Sequence, residues 1–204
     1  MWSQILVFFS TLLAAIIFVK KVDHPLKLVN LFALVPFLSI AVTFLAATEL
    51  DTYLYIIIRD WSLVVSITCI LTILLKVIRD LKPVFERYPA PFIYTPLILL
   101  PVYPFLNDAE VIKSLLNILL QGGALLVFAL ISITIYKKLE SAWIAILMLL
   151  SLTGTYVIYW FIPDLTERLP WIWHLLLTAG IISSSIFTPQ LFNITSKRNT
   201  GVTL

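Results

Sequence analysis

Residues 53–75 read YLYIIIRDWSLVVSITCILTILL, and only Arg59 and Asp60 in this run carry charge. A hydrocarbon core about 30 Å thick needs about 20 mostly apolar residues to be crossed as helix. The run is therefore predicted as a membrane span. The sequence that follows, KVIRDLKPVFERYPAP (76–91), is the longest polar stretch of the chain and marks where the span leaves lipid.

The same alternation recurs outward in both directions. Apolar runs are predicted as spans at about 2–19, 28–48, 53–75, 92–105, 108–136, 142–162 and 171–192. Seven spans leave no room for a second domain, so residues 1–204 are expected to be one all-α polytopic membrane domain, a bundle of seven transmembrane helices. Composition agrees. The chain is 61% hydrophobic and 12% charged, half the charge with which a soluble domain covers its surface.

Charge sets the expected threading. Of 14 Lys and Arg residues, 11 fall at one set of boundaries: Lys20, Lys21, Lys27, Lys76, Arg79, Lys82, Arg87, Lys137, Lys138, Lys197 and Arg198. Seven of the 11 acids fall at the opposite set. Cytoplasmic loops retain Lys and Arg, so the N-terminus is expected outside and the C-terminus inside. The run 2–19 has no basic residue before it and Lys20–Lys21 after it, the reverse of a secretory signal. Trp2, Trp61, Trp160, Trp171 and Trp173 cluster toward the outer ends, as an interfacial aromatic belt would. The short loops favour a bacterial cytoplasmic membrane.

The fourth run carries Pro96, Pro101 and Pro104, and a bent or re-entrant segment competes with a full crossing there. A failed crossing would flip every later loop and destroy the Lys bias, which favours the crossing. The run N-D-A-E at 107–110 resembles a helix cap. The count and direction of spans resemble the seven-helix rhodopsins and receptors in topology alone. The last span, 171–192, contains no lysine for a retinal Schiff base.

Charge inside a span is costly and marks candidate function. Arg59 and Asp60 lie about two turns into the third span, and Lys113 and His174 lie at similar depth in theirs. Adjacent helical residues point about 100° apart, so Arg59 and Asp60 are each expected to seek a partner on another helix. The four are read as an outward-facing ligand pocket. The competing reading is that they snorkel to the headgroups. A second constellation, Ser62 and Ser66 on the third span with Asn117 and Gln121 on the fifth, could line a polar path. Its structural alternative is close helix packing and interhelical bonding. Arg79, Lys82, Phe85 and Arg87 on the longest inner loop form an expected docking surface for a cytoplasmic protein partner, or a headgroup anchor.

No nucleophile–base pair, metal cluster or phosphate loop can be assembled. Neither an enzyme nor a cofactor is expected, and no basic patch suits nucleic acid. Two functions remain. One is a sensing or accessory subunit in the lipid bilayer, which reads a ligand at the outer pocket and acts through an inner partner. The other is a small-solute transporter with a route past Gln121.

Overall fold

A computed structural model describes residues 2–22, 27–49, 52–81, 87, 89–106, 109–139 and 141–199. It is all-helical, with no strand among the described residues. The elements are α1 (Trp2–Lys21), α2 (Leu28–Glu49), α3 (Thr52–Leu81), α4 (Ala90–Leu106), α5 (Glu110–Ile135), α6 (Ala142–Phe161), α7 (Pro163–Arg168) and α8 (Pro170–Asn199). Among the described residues, six helices are long and apolar enough to cross a membrane: α1, α2, α3, α5, α6 and α8. The protein is thus consistent with an all-α membrane protein.

The helices bury small and polar side chains beside apolar ones, and leave many large apolar side chains exposed. On α1 the buried face is Val7, Ser10, Thr11, Ala14, Ala15 and Phe18, while Leu6, Phe9, Leu13 and Ile16 are exposed. Lipid gives apolar side chains no reason to turn inward, so close backbone approach and packing select the interface. Several buried hydroxyls satisfy themselves locally. Thr72 donates to the Thr68 carbonyl (2.8 Å), Ser132 to Phe128 (2.9 Å) and Ser183 to Ala179 (2.7 Å), so each costs little inside the bundle.

The six long helices close a ring in the order α1–α2–α3–α5–α6–α8, and α8 returns to α1. α3 also touches α8 across the ring. A cluster of aromatic and aliphatic side chains ties the ring together. The Phe18 ring lies 6.0 Å from that of Phe37 and 6.5 Å from that of Phe192, and Phe128 lies 5.1 Å from Phe187. Met148 and Phe187 are fully buried. At Gly180 of α8 an added Cβ would lie 2.6 Å from Leu152 Cδ2, so α6 and α8 approach closely there because glycine leaves the space.

Several boundaries differ from the sequence expectation. α3 continues past Leu75 to Leu81, held by a Lys76–Asp80 ion pair of 2.9 Å one turn apart. α8 likewise runs to Asn199. The first residues of the expected docking loop are therefore helix, and Val77 among them is buried in the core. The cap expected at 107–110 falls mostly outside the described residues. α5 starts at Glu110 with Ala109 as its N-cap and no side-chain capping bond, and Asn107 and Asp108 lie outside the described residues. α7 was not anticipated. Pro163 opens it and Pro170 opens the next helix, positions where the missing N–H is harmless.

α4 is wound mostly as 3₁₀ helix, over Ala90–Ile98 and Tyr103–Leu106, with one α turn between. Proline cannot donate its backbone bond and its ring crowds the preceding turn, which disfavours a continuous α-helix. α4 packs along α3. Tyr94 stacks on Phe32 near the Leu28 end of α2 (6.2 Å), and Tyr103 meets Trp61 near the Thr52 end of α3 (5.9 Å). The segment therefore traverses much of the bundle's height.

Candidate functional site

The charged residues of α3 meet α5 in one node. Arg59 donates to Asp60 Oδ1 through Nε (3.1 Å) and Nη2 (2.9 Å), and Lys113 Nζ lies 2.9 Å from Oδ2. This corrects the expectation that Arg59 and Asp60 would not pair. Their Cβ atoms do diverge around the helix, but the guanidinium stem is long enough to fold sideways onto the neighbouring carboxylate. Asp60 thus takes one cation on each oxygen. Tyr55 lies under Arg59 (6.0 Å) and Tyr103 of α4 under Lys113 (5.7 Å), contacts that favour a cation over an aromatic face.

His174 belongs elsewhere. Its Nδ1 shares a 2.8 Å hydrogen bond with Ser3 Oγ of α1, and its ring packs on Phe44 (5.3 Å) and Trp173 (3.9 Å). The expected four-residue pocket is divided: three charged groups join α3 to α5, and the histidine joins α8 to α1 and α2.

Inside the ring lies a cavity of about 410 Å³, walled by α2, α3, α5, α6 and α8. Small side chains on its walls, among them Ala33, Ser62, Ser66, Ala124 and Ser184, leave the space. Arg59, Tyr55, Tyr159 and Trp173 stand toward one end, and Ile73, Leu74 and Leu191 toward the other. From Arg59 to Leu74 the rise of α3 is about 22 Å at 1.5 Å per residue. The space is thus a long slot, mostly apolar, with a guanidinium near one end.

Of the expected polar path, Ser62, Ser66 and Gln121 line the cavity, while Asn117 is buried away from its wall. Gln121 is engaged: its Oε1 accepts a 2.8 Å hydrogen bond from Trp160 Nε1. Tyr156 donates to the Ile118 carbonyl (3.0 Å), a contact that needs Gly122, where an added Cβ would lie 2.8 Å from the phenol oxygen. Trp160 is thereby tied to α5. The buried Ser66 Oγ and Trp173 Nε1, both on cavity-lining residues, have no hydrogen-bond partner among the described residues.

No family model, curated protein or solved structure matches this chain. Its role must be argued from the chemistry of the site itself.

Sequence reasoning missed Tyr55 and Trp173 as companions of Arg59. Tyr55 stands four residues before Arg59, one helical turn, which was a usable signal. Trp173 gave none, because its inward turn depends on how α8 packs. Of the expected docking residues, Arg79 is half-buried and Arg87 exposed, while Lys82 and Phe85 lie outside the described residues.

Proposed function

We propose that this chain is a non-enzymatic integral membrane protein, a sensing or accessory subunit that recognises a ligand in its central cavity through Arg59. The observation that carries this reading is Arg59 in the wall of a mostly apolar slot of drug-ligand size. Two of its five N–H groups are taken by Asp60, which leaves others for a ligand. A transport route past Gln121 is the weaker reading. A small polar solute would meet mostly apolar walls, and Gln121 is already bonded to Trp160. The ligand-bound state would be relayed to a protein partner at the end carrying Arg79 and Arg87. Native mass spectrometry of the protein purified from its own membranes tests the site. One retained small molecule is expected, and folded Arg59→Ala protein should lose it about tenfold or more. Equal retention by that variant would leave Arg59 as a snorkelling residue.

The proposed threading is seven crossings in a bacterial cytoplasmic membrane, N-terminus outside. The 3₁₀ winding of α4 supports it: at about 2.0 Å rise per residue, with one α turn, the segment spans about 32 Å, enough for a hydrocarbon core of about 30 Å. Alkaline phosphatase fused after Arg168 should be active, and fused after Lys138 inactive. The reverse pattern, or activity at both, sinks the threading.

A further inference from the structure

Resting on that reading of the cavity, we infer that its ligand is a single-chain amphiphile with an anionic head, the head on Arg59 and the tail running inward toward Leu74 and Leu191. Three observations converge. First, the space is elongated, about 22 Å by helix rise for only about 410 Å³, so it suits one extended chain and not a branched or two-chain lipid. Second, its walls are almost wholly apolar below Arg59, with Ile70, Ile73, Phe128 and Leu191 among them, which suits an alkyl tail.

Third, the charged group in the wall is a hydrogen-bond donor. Arg59 keeps N–H groups beyond the two that Asp60 takes. A carboxylate or phosphate head supplies acceptors, and an ammonium head supplies none. Charge points the same way. An anionic head is attracted to the Arg59 guanidinium, and a cationic head is repelled by it. An uncharged long-chain alcohol shares the tail but lacks the charge, and is expected to bind worse.

The experiment uses the full-length protein in nanodiscs of phosphatidylcholine. The probe is a long-chain fatty acid with a diazirine near the tail end, beside the alcohol of the same chain. After irradiation, labelled positions are mapped by peptide mass spectrometry. The acid should label Ile73, Leu74 or Leu191, and should be displaced by unlabelled oleate. The alcohol should label these positions about tenfold less, and Arg59→Gln should lower the acid's labelling by a similar factor. The acid–alcohol comparison needs no variant, so it stands even if Arg59→Gln fails to fold. Equal labelling of the cavity by both probes overturns the anionic head while leaving the cavity as a binding site. Labelling by both probes only at outward residues such as Leu13, Leu119 and Leu150 overturns the inferred class, and with it the reading of the cavity as a site for apolar ligands.

Discussion

Replacing Asp60 with Ala is expected to destabilise the protein by about 3 kcal/mol or more, the largest loss from any single charge change in the bundle. The reason lies in what Asp60 holds. Its two oxygens each receive a cation at 2.9 Å, one from its own helix and one from α5. The two cations differ in their freedom to respond. The Arg59 side chain is 37% exposed and can turn its head toward the interface, whereas that of Lys113 is only 9% exposed. Removing the carboxylate therefore takes a counter-charge from a buried ammonium, and desolvation of such a group is expensive. The opposite change, Lys113→Met, should cost far less, about 1 kcal/mol, because Asp60 still has Arg59 and the apolar stem is retained. The pair Asp60→Asn with Lys113→Met should be more stable than Asp60→Asn alone. Thermal unfolding in mild detergent reads all four. If Asp60→Ala and Lys113→Met melt together, the node is not the tie between α3 and α5 that its geometry implies.

The apolar spans were legible in the sequence because lipid imposes a length on any helix that crosses it. Their ends were less legible. α3 and α8 continue beyond the apolar run, since helix does not have to stop where lipid stops, and a Lys76–Asp80 pair one turn apart favours continuation. Prolines 96, 101 and 104 flagged α4 as irregular, but its tighter 3₁₀ winding depends on how the freed carbonyls are satisfied. At the site, the residue types were readable and their pairing was not. Cβ directions kept Arg59 and Asp60 apart, whereas the rotamer of a long side chain brought them together. Lys113 was recognised as anomalous by its charge in an apolar run, and its partner was one of the residues named with it. His174 satisfied the same criterion and yet packs with Ser3 and Phe44, because depth along a helix says nothing about which neighbour a side chain faces. The cavity could not be read at all. It is a property of gaps between five helices, and its only trace in sequence is the recurrence of Ser and Ala at positions that a tight core would fill.

That cavity depends on the α6–α8 contact, where Gly180 makes the tighter of two glycine approaches, the other being Gly154 against Leu176. Gly180→Leu should destabilise the bundle by about 3 kcal/mol, while Gly123→Leu should be close to neutral. At Gly180 even the first added carbon would meet Leu152 Cδ2 at 2.6 Å and Cγ at 2.9 Å, with the Leu152 backbone nitrogen at 3.5 Å. The methyl tip of Leu152 can rotate away, but its Cγ is fixed close to the backbone, so the helices themselves must part. At Gly123 nothing lies within 4 Å of the added carbon. Substitution there replaces glycine with a better helix former, which favours the helix by up to about 1 kcal/mol. The two glycines are thus a matched pair, alike in type and in lying within long helices, and opposite in surroundings. Leu152, Thr155, Tyr156 and Tyr159 on α6 face Trp173, Leu177 and Ile181 on α8 as walls of the slot. A wedge between them should widen it, and the acid probe should then lose its preference for Leu74 and Leu191. Thermal unfolding of Gly180→Ala, Gly180→Leu and Gly123→Leu decides the matter. A Gly180→Leu protein that melts with the Gly123 variant would mean that α6 and α8 stand further apart than this packing requires, and the slot between them would lose its shape.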